Sequence, residues 1–342
     1  MEKNELHRLS KIAYTYTSSS TDQSSLLYVT PGSIRVRTNQ CFVHIPLDID
    51  LTFNVRGSDL LNVLKVFPSD QVFFHISPNQ KSLVVSNEDK KTKVKVPLIV
   101  SATPYMPSIP TEWIQLGGGY FVDRLKALSK FARPWTENVT AGQRLLCFVY
   151  IDGYKAYATD SKSAAYCTFT ASSEIPPVLI NPKLFSTLTR SHSSLVGICV
   201  TESLLWLKFS DGIIIAHSIF EGNFPDLEKS IPQNFIGMHH IEFESGFLEA
   251  VKLCIASQSN LQKQDNFLAL EIEGNTCIIE SNGIWETRQE LSILNPVSEP
   301  LSIKISTERI LSLDLTKFHY SSTGRYIAYE IDDGIAFTME RR

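Results

Sequence analysis

The sequence predicts an α+β fold made of three repeats of one unit, each with two helices and several short antiparallel strands. Three observations predict it. Three helix-like stretches end at Ala13, Ala132 and Ala256: Leu9-Ser10-Lys11-Ile12-Ala13, Leu128-Ser129-Lys130-Phe131-Ala132 and Lys252-Leu253-Cys254-Ile255-Ala256. They are offset by 119 and 124 residues in a chain of 342, and self-similarity at a fixed period marks a repeated architecture. A second series follows each at a similar gap: Leu60 to Leu64, Leu184 to Leu188 and Ile310 to Leu313, each preceded by an apolar extended run and a helix-start residue. Proline-bearing passages at 105–110 and 225–232 close the first two units, and their final prolines, Pro110 and Pro232, lie 122 residues apart.

Taken in order, the first unit reads as a helix over 6–16, strands over 26–29, 34–37 and 41–46, a helix over 58–67, and strands over 72–76, 83–85 and 93–98. In the last of these Val94, Val96 and Leu98 alternate with other residues, the period of a half-buried strand. The second unit reads as a helix over 121–131, strands over 147–151 and 154–158, and a helix over 182–190. Asp152-Gly153 between those strands is a strong hairpin signal. The third reads as a helix over 246–257, strands over 267–273, 277–281 and 287–291, a helix over 308–313, and a final pair, 326–331 and 335–339, joined through Asp332, Asp333 and Gly334. Linkers over 104–110, followed by Gly117-Gly118-Gly119, and over 232–240 place the domain boundaries at 1–114, 115–236 and 237–342. The Ser-rich run 18–25 reads as a surface loop.

Composition excludes several classes. With 43% hydrophobic and 20% charged residues, the chain can bury a core in each unit. The charged opening, 1–11, lacks the apolar stretch of a signal peptide, and no apolar run reaches the ~18 residues of a membrane helix. A cytosolic location is expected, and the Asn138-Val139-Thr140 sequon then carries no sugar. Six single cysteines (Cys41, Cys147, Cys167, Cys199, Cys254, Cys277) without a C-x-x-C pair read as buried reduced thiols. Eight histidines show no H-E-x-x-H pattern, and His239-His240 falls in the second linker, where exposure is expected. There is no nucleophile elbow, phosphate loop or dinucleotide fingerprint; Gly117 to Gly119 lacks the Lys and Ser or Thr of a phosphate cradle. Asp48, Asp50, Asp332 and Asp333 lie in or near turns, which favour aspartate. Neither an enzyme, nor a metal, nor a cofactor is expected.

Charge is unevenly placed. The chain carries net −4. Yet the helical windows 6–16, 57–67, 121–133, 182–190, 245–257 and 307–318 hold twelve Lys or Arg against five acids, leaving the remainder at net −11. Basic helices on an acidic body suit an enclosed polyanion. Exposed helix faces also favour Lys and Arg as helix formers, so both readings stand on charge alone.

The segment Glu221-Gly222-Asn223-Phe224-Pro225-Asp226-Leu227, then Ile231-Pro232, is similar to the D-G-R-F-P-D-Y and L-P of the bacterial β sliding clamps, the DNA polymerase III β subunit family. Tyr157-Ala158-Thr159-Asp160 resembles that family's A-T-D-G-H segment, and Thr338-Met339-Glu340-Arg341 resembles its M-P-M-R tail. The resemblance spans the whole chain in matching order.

It implies a processivity factor: two three-domain chains joined head to tail in a ring, sheets outside, helices lining a hole around duplex DNA. Binding would be sequence-neutral, through phosphates. The DNA-facing residues carried over are Arg8, Lys11, Arg124, Lys126, Lys130, Arg133, Lys183, Arg190 and Lys252, with the helix bearing Arg124 to Arg133 the most basic. The family's partner-peptide pocket falls on Leu145, Leu146, Thr159, Pro225, Thr338, Met339 and Arg341. Implied partners are the replicative DNA polymerase, an ATP-dependent clamp loader and a second copy of the chain. Ser161 and Lys162 replace the family's Gly-His, Ala164 a leucine, Ser230 an apolar residue and Glu340 a methionine, which implies an altered peptide preference. Only residues 1–5 precede the first helix, so the family's opening strand is expected to be very short or missing. The competing class is a scaffold that uses the clamp fold without encircling DNA.

Overall fold

The structure, a computed structural model, describes residues 1–16, 26–100, 104–117, 120–136, 138–182, 184, 193–232, 234–257, 267–282, 286–306, 310–311, 315–331 and 333–339. The fold is α+β with antiparallel sheets. Backbone proximity groups the chain into two compact units: Met1–Asp123 with Ile151–Tyr154 and Thr170–Glu221, and Arg124–Tyr150 with Lys155–Phe169 and Gly222–Arg342.

The first unit opens on helix α1, Lys3–Thr15, whose Leu6, Leu9 and Ala13 recur every three to four residues and are buried. It starts three residues before the predicted position, and in place of the opening strand expected to be very short or missing there is one bridge between Glu2 and Gln71. Backbone bonds from Lys3 N–H to Asp70 O (2.8 Å) and Val72 N–H to Met1 O (3.0 Å) flank that bridge. Helix α2, Gly57–Val66, buries Leu60 and Leu64 and packs against α1.

Nine strands form the unit's main sheet, in the order Thr170–Ala171, Ile114–Gly117, Leu195–Val200, Leu204–Phe209, Ile214–Ser218, Cys41–Pro46, Ser33–Arg37, Leu26–Thr30 and Phe53–Arg56. Ile214–Ser218 pairs with Cys41–Pro46, Ile215 opposite Val43, so the strands of the predicted first domain continue into those of the second. Phe42 and Trp206 meet edge to face at 5.8 Å between ring centroids, within a cluster that also holds Leu204, Ile214 and Ala216. A separate sheet of three strands contains Phe73–Ile76, Ser82–Ser86 and Lys93–Pro97.

The second unit contains most of α3, Phe121–Ser129, then a short helix α4, Ala141–Arg144, and helix α5, Phe247–Ser257. Thr140 and Gln143 close a reciprocal capping box at the start of α4. A single 3-10 turn, Leu145–Cys147, follows, so the predicted strand at 147–151 begins only at Val149. Six neighbouring strands run Lys155–Thr159, Ser163–Thr168, Gly334–Met339, Tyr326–Ile331, Lys317–Ser321 and His239–Glu242. Four more form a sheet ordered Glu286–Ser292, Thr276–Asn282, Phe267–Glu273 and Leu301–Ser306, and α5 packs against its Thr276–Asn282 and Glu286–Ser292 strands. His239 and His240 are therefore not linker: they pair with Tyr320 and His319, and the linker ends before them. The helices predicted at 182–190 and 308–313 fall outside the described residues except at Pro182, Leu184, Ile310 and Leu311, as do the Ser-rich run 18–25, Gly118, Gly119 and Asp332.

All six cysteines are free, five of them buried. Burial pushes the Cys41 and Cys277 thiols up to about 12, and only the thiolate is nucleophilic. Neither should react with a disulfide reagent at pH 8 in the native protein, and both should react once it is unfolded in denaturant; rapid native labelling of either, located by peptide mass, would contradict this burial.

Candidate nucleic-acid and peptide interfaces

Helix α3 positions its charges by its period. Phe121, Leu125 and Leu128 are buried, which leaves Asp123, Lys126 and Lys130 exposed on the other side. Arg124 has a different surrounding. Its Nη1 donates to Thr168 O at 3.0 Å, and its Nη2 pairs with the Asp333 carboxylate. The Thr168 backbone N–H and hydroxyl both donate to Asp333 O, at 2.9 and 3.1 Å, so Arg124 ties helix α3 to the turn before the last strand. Arg133 is half-buried, its backbone N–H donating to Leu146 O at 2.7 Å.

Arg8 on α1 is likewise engaged, forked onto Glu5 at 2.8 and 2.9 Å and 3.8 Å from Asp211. The bond from Arg8 holds the Glu5 carboxyl below the usual carboxylate range. Lys11 is exposed on α1, Lys65 on α2 and Lys252 on α5. Lys183 and Arg190 lie outside the described residues.

The carried-over pocket residues form two groups within the second unit. Thr159, Ser163 and Thr338 share a buried seam across three adjacent strands: Thr159 Oγ1 donates to Ser163 O at 2.7 Å, and Thr338 Oγ1 to Ser163 Oγ at 3.1 Å. Met339 stands at its open end, 45% exposed, its backbone N–H on Lys162 O at 2.9 Å. Leu145 and Leu146, half-buried, are in the 3-10 turn that packs against Lys155–Thr159. The Gly222 to Pro225 segment lies against the turn. Gly222 sits so close to Leu145 that a Cβ there would overlap its Cδ2, Phe224 stacks on Tyr150 at 5.0 Å, and Pro225 is exposed. Arg341 lies outside the described residues.

Sequence reasoning missed the polar clasp beside this apolar region. Lys155 Nζ donates to Glu228 Oε1, as does the Tyr157 hydroxyl at 3.4 Å, and Lys155 lies 5.9 Å from the Tyr166 ring centroid. Those bonds, Lys155 first, lower the Glu228 carboxyl. Glu228 is three residues beyond Pro225, so the extended motif was the available signal. Among the described residues, no group of three or more His, Cys, Asp or Glu is arranged to hold a metal ion. No helix among them is long and apolar enough to cross a membrane.

No sequence-family model matches the chain, and no curated protein matches it in sequence. Its fold is that of the bacterial β clamps. The Helicobacter pylori β clamp bound to a DNA ligase peptide superposes with a TM-score of 0.81 at 15% identity, covering 100% of this chain and 99% of the other. The Pseudomonas aeruginosa DNA polymerase III subunit β gives 0.82 at 15% identity, with 100% and 99% covered. The Streptococcus pneumoniae DNA polymerase III β chain gives 0.83 at 14% identity, with 100% and 98% covered. The likeness is one of divergent sequences on a shared fold.

Proposed function

We propose that this chain is a sliding clamp: a non-catalytic cytoplasmic processivity factor whose ring encircles duplex DNA and tethers a replicative polymerase. The observation that carries the reading is the full-length likeness to β clamps, which spans 100% of this chain and 98 to 99% of each relative above. Exposed lysines on four helices, Lys11, Lys65, Lys126 and Lys252, with Lys130 just past the third, support a sequence-neutral phosphate contact. In this reading the chain has three clamp domains, 1–114, 115–236 and 237–342, and the helices of all six domains in a head-to-tail homodimer face the DNA. Arg8 and Arg124 then shape the inner wall through their own pairs, while the lysines, with Arg133, Lys183 and Arg190, meet phosphates.

Ring closure is supported by complementary charge. Lys93 and Lys95 are exposed on an edge strand of the three-stranded sheet, whereas Glu271, Glu273, Glu280 and Glu290 are exposed on the four-stranded sheet. Edge strands present unpaired backbone groups that a second chain can complete. Clamp loaded by an ATP-dependent loader onto nicked circular duplex should stay bound through a salt wash and be lost when the circle is linearised. Sedimentation should give twice the 38.5 kDa chain mass. A monomer at micromolar concentration, or retention indifferent to linearisation, would favour the scaffold reading instead.

The apolar group of Leu145, Leu146, Pro225 and Met339 is read as the seat for short polymerase and loader peptides, with Thr159, Thr338 and Arg341 at its border. Apolar anchors supply most of the affinity in such sites. Deleting residues 339–342 should weaken peptide binding by roughly tenfold or more and abolish stimulation of processive synthesis, with the ring's mass unchanged. Undiminished stimulation would remove the pocket from this reading.

A further inference from the structure

The nine-stranded sheet of the first unit has two unlike faces. Ile34, Val36, Val43 and Ile45 are buried on one. The alternation of the same strands puts Arg35, Arg37, Phe42 and His44 on the other. Arg35 stands opposite His44, and Arg37 opposite Phe42. The next strands extend these two rows: His44 to Ile214 to Lys208, and Phe42 to Ala216 to Trp206.

This face holds buried polar atoms without hydrogen-bond partners. Arg37 Nη1, His44 Nδ1 and Trp206 Nε1 are buried and have no hydrogen-bond partner, although Trp206 as a whole is only 2% exposed. Arg35 spends its Nε on Ser33 Oγ at 3.1 Å. At the register positions surrounding them, Tyr28, Asn54, Ser33, Pro46, Ile214, Ala216, Lys208 and Cys199, there is no carboxylate. Lys208, also basic, ends the His44 row and lies 5.5 Å from the Trp113 ring centroid, and the field of the Glu112 carboxylate reaches Cys199, opposite Trp206. Met106, Ile109 and Trp113 pack against the apolar part of the face. Burial first, then the field of Arg35, holds the His44 imidazole below the usual histidine range.

Buried polar atoms left without partners are costly, and a set that includes guanidinium and indole N–H groups calls for an acceptor with several oxygens. Two guanidinium forks on alternate residues of one strand stand about 7 Å apart along it, and such forks match phosphate oxygens in pairs. We propose that Arg35, Arg37 and His44, with the Trp206 indole N–H further along the row of Arg37, form a binding site for a tetrahedral phosphate, either free inorganic phosphate or a backbone phosphate of a nucleic-acid strand. The site uses none of the helix lysines assigned to encircled DNA, so it stands whether or not the ring reading does.

The test follows the His44 ring resonances and the Trp206 indole N–H by NMR in the full chain, with His44→Asn and Trp206→Phe spectra for assignment. At matched ionic strength, inorganic phosphate in place of chloride should raise the His44 midpoint by about one unit, as a nearby anion does, and move the Trp206 signal. Arg35→Gln and Arg37→Gln should each abolish both changes while melting like the parent, since neither guanidinium holds a carboxylate. A short single-stranded oligonucleotide distinguishes the sources: a matching shift at micromolar strand identifies backbone phosphate, and a response to inorganic phosphate alone identifies the free ion. No response of His44 and Trp206 to either probe overturns the proposal, as does a response that survives both Arg substitutions.

Discussion

Gly334→Val is expected to cost about 3 kcal/mol or more, the range of severe overpacking, and to lower the melting temperature by roughly 6–12 °C. Gly334 opens the last strand and stands opposite Cys167. A Cβ there would lie 2.7 Å from Cys167 Cα and overlap Tyr166 O, both fixed backbone atoms in the middle of a sheet. No rotamer relieves that collision. The two strands must part, and the Thr168 bonds to Asp333 would be lost with them. Asp333 itself adopts φ 52, so the tight turn depends on the strands staying close. Melting within about 2 °C of the parent would mean that the sheet can widen here at little cost.

Replacing Lys126 and Lys130 together by Glu is expected to reduce retention on circular duplex by roughly tenfold or more, taking about 0.7 kcal/mol for each exposed charge contact. The dependence of retention on salt should flatten by about two contacts' worth. Lys126 is exposed on α3 and Lys130 just past its end, so melting should stay within about 0.5 kcal/mol of the parent. Arg124→Gln makes the contrast: it releases Asp333 and Thr168 and should lower stability more than retention. If the double lysine variant is retained as well as the parent across salt concentrations, α3 is not in the path of the DNA.

Periodic segments were legible in the sequence. The helix over 121–131 and its buried Phe121, Leu125 and Leu128 follow from spacing alone, and the Asp152-Gly153 signal marks a real turn in which Gly153 has φ 61. The early start of α1 was not legible because Glu2 makes no side-chain cap. Thr140 and Gln143 carried a readable start signal for α4 that the apolar pattern, too short at four residues, did not reinforce. His239 and His240 look like linker locally and become strand only because residues 317–321 supply their partner. The largest change to the candidate interface, Arg124 turning to Asp333, joins positions 209 residues apart, which no local pattern encodes. Composition placed the charges on helices but could not tell a lysine in solvent from an arginine already paired.

The contact between Gly222 and Leu145 constrains how relatives of this chain can diverge. The atom that a side chain at 222 would displace is the far end of a leucine, which can rotate, rather than backbone. Position 222 is therefore free to vary only in company with position 145. A lineage that gains a side chain at 222 should show a smaller or reoriented residue at 145, and the two should covary across an alignment even though 77 residues separate them. In the reading proposed above Leu145 also belongs to the peptide seat, so each such exchange would alter which peptides a lineage accepts, and one glycine would link the drift of this chain to that of its partners.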